Sequence, residues 1–221
     1  CTDQWRWDCF GFMGHKCAHT PNIDKLVSHS TAFRKHFTGI VPCGPARTTL
    51  LTGLYPFIHR SVNNGTPLDK RFTNVAKEAR KTGYDPKLYG YTDTSWDPRY
   101  LDGKDEKLFT YESPMEGFDP VCHLPESNPI PWAIYLKEKG FDVSSPHDLY
   151  ERDKPIKGQG FIHKPFDIPT EHSDTSFLAK RAIEDIKKMR VMTLAANLDL
   201  NVKVGGCEAR NDISFCKKIS V

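Results

Sequence analysis

Apolar residues recur at helical spacing in four stretches of the chain and cluster as short strands in three others. Ile23, Leu26 and Val27 form one stripe behind Thr20 and Pro21, with Asp24 in the first turn. A capping threonine followed by proline at the first helical position predicts a helix start there. Ala46, Leu50, Leu51 and Leu54 repeat the spacing after Pro45, which puts Cys43 at the mouth of a second helix and in its positive local field. A third helix carries Phe72, Val75, Ala76 and Ala79 inward and stops at Gly83. The fourth is capped by Ser173 or Asp174 and lines up Phe177, Leu178, Ala182, Ile183 and Ile186. Three stretches read as strands: the opening residues up to Asp3, "TAFRKHFTGIV" (31–41), in which Phe33 and Phe37 are expected to pack a core, and "KLYGYT" (87–92).

Alternation of helix and strand argues for an α/β fold, a three-layer sandwich with a mostly parallel central sheet. In such a sheet the C-terminal end of a strand points into the site, which is where Asp3 falls. Residues 96–169 change texture to Pro, Gly, Asp and Lys with scattered aromatics, and predict long surface loops with a short helix near Trp132 to Lys139. An excursion of that length usually shapes or covers a site. The domain therefore runs over 1–190. The tail 191–221 is atypical: a helix ending in basic residues should feed another central strand, and the tail offers only an edge hairpin around Gly205 and Gly206 or a sequence foreign to the fold.

Composition narrows the function classes. The 221 residues are 38% hydrophobic, enough for one sizeable core. The net charge of +3 comes from 31 basic and 28 acidic residues without a long run of one sign, which argues against nucleic acid or an anionic membrane as partner. No apolar run approaches the roughly 20 residues that span a bilayer. Seven cysteines at 1, 9, 17, 43, 122, 207 and 216 are an odd number without regular spacing, which fits free thiols better than a disulfide framework. With no signal-peptide pattern in view, a cytoplasmic location is expected. The chain starts at Cys1, so its true start is expected to be missing, and a periplasmic or secreted location stays open.

The chemistry concentrates in "VPCGPARTTLLTGLYP" (41–56), where Cys43 stands two residues before Pro45 and four before Arg47. A buried structural thiol needs neither neighbour. The i, i+4 offset puts Arg47 on the face of the helix that Cys43 opens. A cysteine phosphatase cradle is excluded, because it needs Cys-x5-Arg and Pro45 removes an amide donor. "CFGFMGHKCAH" gathers Cys9, His15, Cys17 and His19, but lacks the paired spacing of a structural zinc site and reads as a loop.

The Cys-x-Pro-x-Arg run resembles the type I sulfatases and the related phosphonate monoester hydrolases of the alkaline-phosphatase superfamily. "DQWRWD", "TPNIDKL", "AFRKHF", "NNGTPLD" and "KTGYDPKLYGYTDT" follow in the family's order, covering about the first 95 residues well and 173–188 more loosely. The resemblance implies a hydrolase of sulfate monoesters, or of phosphonate or phosphate mono- and diesters. It also implies that a formylglycine-generating enzyme, reading Pro45 and Arg47, oxidises Cys43 to formylglycine. On the same resemblance Asp3 and the modified Cys43 ligate one divalent metal, Ca2+ before Mn2+ or Mg2+, and Arg47 stabilises the modified side chain. Gln4, Asn64, Tyr91 and Thr92 fall at substrate positions, and His59 is an expected neighbour of the site. Two departures stand out. Asp93 brings a negative charge to an anion site, which repels substrate unless it turns away or is paired. The family's second pair of metal ligands has no counterpart before Val221, so the chain is expected to be truncated, with half a metal site, and a catalytically inactive relative is the alternative reading.

Overall fold

Leu88 and Tyr89 have no exposed surface, and the strand that carries them, β2 (Lys87–Gly90), is the spine of the molecule. The computed structural model describes residues 5–150 and 168–188 in full, and the backbone alone of 2–3, 189, 199–200 and 202–203. β2 pairs in parallel with β3 (Asp119–His123) on one side, Lys87 opposite Asp119 and Gly90 opposite His123, with a register shift between Leu88 and Tyr89. On its other side it pairs in parallel with β4 (Asp199–Leu200). A second parallel pair joins β1 (Thr2–Asp3) to β5 (Val202–Lys203), Asp3 opposite Lys203. The ammonium of Lys87 ties the start of β2 down, 2.6 Å from Asp85 and 2.5 Å from Asp119.

The helices follow the apolar spacing in position, less so in the face they bury. They are α1 (Pro21–Val27), α2 (Cys43–Thr52), α3 (Pro56–His59), α4 (Val75–Lys81), α5 (Ile130–Glu138) and α6 (Asp174–Met189). Asn74 caps α4 by accepting the Lys77 amide at 3.0 Å, one donor of the orphaned first turn. Gly83, at φ 87°, follows that helix as expected. Thr20 precedes α1 without capping it. Its hydroxyl instead accepts the Gly11 amide at 2.8 Å and donates to Asp24 at 2.8 Å, stitching the loop before α1 to the helix. α2 turns Gly44, Pro45, Thr48 and Leu51 inward and leaves Leu50 63% exposed, so of the predicted stripe Leu51 packs and Leu50 does not. The short residues are inside because the start of α2 lies directly against backbone. No helix among the described residues is long and apolar enough to cross a membrane.

Two expectations fail. Residues 31–41 form no strand, and Phe33 and Phe37 are 77% and 82% exposed. Aromatic and β-branched composition favours a strand only where a neighbouring strand is present to pair with. Here Thr38 closes a local turn on itself instead, its hydroxyl donating to the Ile40 carbonyl at 2.8 Å. Residues 96–169, predicted to be surface loops, supply β3 to the sheet and α5 to the core. The helix expected near Trp132 is there as α5, with Trp132, Ala133 and Leu136 buried.

That core sits between the sheet and α5 and α6. Tyr89, Leu124, Trp132, Ala133, Leu136, Phe177, Leu178 and Ala182 fill it. The polar tips of its aromatics are satisfied: Trp132 Nε1 donates to the His172 carbonyl at 2.8 Å, and the Tyr89 hydroxyl donates to Asp185 at 2.5 Å. Burial and that carboxylate push the Tyr89 hydroxyl above its usual range, so it stays protonated as a donor. Truncating the buried indole removes a large packed volume, and Trp132→Ala is expected to cost about 3–5 kcal/mol. Ile134→Ala, on the exposed side of the same helix, is expected to change stability by less than about 0.5 kcal/mol. Urea denaturation of the two variants checks the contrast, and equal losses would contradict this placement of α5.

Candidate active site

α2 begins at Cys43, and the way its first turn is seated decides where that side chain stands. Pro42 precedes it in extended conformation, and Cys43 itself is half-buried. Gly44 lies so close to the corner after β2 that a Cβ added there would sit 2.6 Å from the Asp93 carbonyl oxygen and 3.2 Å from Asn64. Any side chain would push the start of the helix away. The Gly44 amide donates to Asn64 Oδ1 at 2.7 Å, and the Gly65 amide to the Asp93 carbonyl at 3.4 Å. Three segments distant in sequence, the start of α2, the 63–66 turn and the 91–95 corner, are thereby closed on one another.

At the centre of this closure Arg47, one turn along α2 from Cys43, meets Asp93 at 2.5 Å. The two side chains are only 11% and 6% exposed, so water screens the pair little. Arg47 also lies over the Tyr91 ring, 5.3 Å from guanidinium carbon to centroid, and the ring face favours the cation. Asp93 adopts φ 55°, a left-handed conformation that aspartate tolerates better than most residues. The charge conflict foreseen at Asp93 is thus met by pairing. Its carboxylate does not turn away from the site; it holds the arginine that the site presents.

The remaining predicted residues divide. Asn64 is beside α2, and its Oδ1 accepts the Gly44 amide. Thr92 is fully buried, its hydroxyl bonded to the Ser113 carbonyl at 2.7 Å and to Thr94 at 2.8 Å, so it braces the corner. His59 is buried against the far part of α2. Its Nδ1 accepts the Ser61 amide at 3.0 Å, which leaves Nε2 to donate to Thr49 Oγ1 at 2.9 Å. Asp3 is described only in its backbone, at the C-terminal end of β1, and Gln4 lies outside the described residues, as does His163.

The helix N-terminus supplies field more than hydrogen bonds. The Gly44 amide is held by Asn64, Pro45 has none, and the Ala46 amide closes the first turn on the Pro42 carbonyl at 3.1 Å. Among the described residues no three His, Cys, Asp or Glu side chains come together to hold a metal. This includes the Cys9 to His19 loop, where His15 Nδ1 accepts the amides of Cys17 and Ala18. Burial pushes the Cys122 thiol up, keeping it protonated and unreactive, whereas Cys43 stands at the positive end of a helix. Sequence reasoning missed Gly44, and it allowed for pairing at Asp93 without naming Arg47 as the partner. A glycine directly after the cysteine and an aspartate three residues after a strand end are weak signals taken alone.

The sulfatase family model matches residues 1–180 of this chain. The multifunctional alkaline phosphatase superfamily protein PehA of Trinickia caryophylli is 38% identical over 194 residues, which are 84% of this chain and 37% of that protein. The Ulvan-active sulfatase of Formosa agariphila is 27% identical over 199 residues, 88% of this chain and 34% of that protein. The crystal structure of the phosphonate monoester hydrolase of Agrobacterium radiobacter superposes with a TM-score of 0.76 at 37% identity, over 88% of this chain and 38% of that one. The fold is alkaline-phosphatase-like, as expected, and the chain spans little more than a third of the length of these relatives.

His59 gives the region a pH signature. Burial holds its pKa below the usual histidine range, because the charged ring is penalised inside. The folded state therefore prefers the neutral ring, and the unfolded state takes up the proton first as pH falls. Stability from this group is full above the unfolded histidine pKa of about 6.5 and is lost as pH falls from there through the lower folded value. Urea midpoints between pH 8 and pH 5 should fall more steeply for the native protein than for His59→Gln. Parallel curves would show that His59 does not titrate with unfolding.

Proposed function

This chain belongs to the sulfatase family, and on that premise we propose that the protein hydrolyses sulfate and phosphonate monoesters, with residue 43 as the source of the nucleophile. The observation that carries the proposal is the seating of Cys43 on the first turn of α2, with Arg47 one turn on, packed over Tyr91. Sulfate and phosphonate monoesters are both tetrahedral and singly charged at neutral pH, so one cradle serves both. The family model supports the first class, and the 37% identity to a phosphonate monoester hydrolase supports the second.

A formylglycine at 43, made by a formylglycine-generating enzyme, would supply as its hydrate one hydroxyl to displace the ester's alcohol from sulfur or phosphorus and a second whose proton loss re-forms the aldehyde and expels the sulfate or phosphonate. The other residues position and stabilise. The α2 field favours negative charge at its first turn, where the transferring group sits. Arg47 directs its planar fork to the anion from a position fixed by Tyr91 and Asp93. Asn64 holds the first turn through Gly44 and would donate from Nδ2 to the anion. A divalent metal is implied by the family, Ca2+ before Mn2+ or Mg2+, but the described residues do not make up a site for it.

The test is turnover of phenyl sulfate and of a phenyl phosphonate monoester by protein in which residue 43 is modified. Cys43→Ala is expected to abolish both activities. Arg47→Lys keeps the charge but loses the fork, and is expected to lower kcat roughly tenfold or more. Turnover surviving in Cys43→Ala overturns the proposal, and absence of turnover in the modified native protein would favour the inactive relative instead.

A further inference from the structure

We propose that Asp93 is a charge filter for the Cys43 site: by pairing with Arg47 it makes the site select singly charged tetrahedral anions over doubly charged ones. The inference rests on reading Cys43 and Arg47 as an anion site, and adds a specificity determinant to it.

Three observations carry it. The Arg47–Asp93 pair, 2.5 Å apart, lies at 11% and 6% exposure, so an incoming anion meets a cation whose charge is already balanced at close range. Arg47 holds the carboxylate of Asp93, and the corner fixes its backbone. Its carbonyl accepts from Gly65, the start of α2 lies in contact with it at Gly44, and Thr92 and Thr94 on either side are buried with their hydroxyls bonded to each other. Its left-handed φ of 55° belongs to that same fixed geometry. One negative charge on a ligand is offset by the α2 N-terminus, and a second one meets the buried carboxylate of Asp93. A second charge held about 6 Å from a poorly screened carboxylate lowers affinity on the order of tenfold to a hundredfold.

Phenyl sulfate and phenyl phosphate make the test, since they match in shape and differ by one charge at pH 8. Binding to the full 221-residue chain with Cys43 unmodified is followed by calorimetry or by chemical-shift titration. The native chain is expected to bind phenyl sulfate at least about tenfold tighter than phenyl phosphate. Asp93→Asn keeps the shape and tolerates the left-handed backbone, and is expected to narrow or reverse that ratio. A second measurement needs no variant. Lowering the pH to 5 turns phenyl phosphate into a monoanion, its second pKa being about 6. Its affinity for the native chain should then rise to that of phenyl sulfate, whose constant charge controls for titration of the protein. Equal affinities at pH 8, or no gain for phenyl phosphate at pH 5, overturn the filter and leave the anion site standing. Failure of both ligands to bind overturns the filter and the anion site together.

Discussion

The ion pair between Arg47 and Asp93 joins α2 to the corner after β2 across 46 residues of sequence, and the candidate site depends on it. A buried pair of this kind is weak evidence for net stability, because each charge gives up its hydration to enter. Its consequence is positional. Removing either partner leaves an unmatched charge at low exposure, so the two segments are held in one arrangement, with Tyr91 beneath the guanidinium and Gly44 against the Asp93 carbonyl. This closure sets the first turn of α2, and Cys43 with it. The glycine next to it and the arginine four residues on therefore do as much to fix the reacting position as the cysteine does.

Around that centre the polar groups are used sparingly. Thr48 returns its hydroxyl to the Gly44 carbonyl at 2.9 Å, and Thr49 to the Pro45 carbonyl at 3.0 Å, so α2 satisfies its own threonines. His59 adds a neutral brace to Thr49. Beyond the corner, the buried carboxylate of Glu112 accepts the amides of Glu126 and Ser127, at 2.7 Å and 3.0 Å, and the Ser127 hydroxyl. This fixes the loop between β3 and α5. The site thus rests on a backbone whose hydrogen bonds are answered from within, which suits a position that must hold one geometry.

The elements legible in the sequence were those whose signal is local. α4 and α6 announce themselves by apolar spacing, α6 also by Ser173 or Asp174 at its start and α4 by Gly83 beyond its end. β2 follows that glycine as a short aromatic run. β3 was illegible because Pro120 and a charged, proline-rich flank hide a strand that exists only by pairing with β2. Residues 31–41 show the converse, strand composition without a partner. In the site, the i, i+4 relation of Cys43 to Arg47 could be read from spacing, and the structure places both on the first turns of α2. The part played by Asp93 could not, because it depends on the fold bringing position 93 back to position 47. Sequence reasoning found the charge and the fold supplied its partner.

On the proposed function, this architecture presents a reacting group at position 43. Peptide mass spectrometry of the protein from its native host tests it most directly. The peptide containing Cys43 is predicted to be lighter than its encoded mass by about 18 Da, the change from cysteine to formylglycine. An unaltered thiol mass throughout the population would contradict the claim and leave the fold as an anion-binding scaffold without its nucleophile.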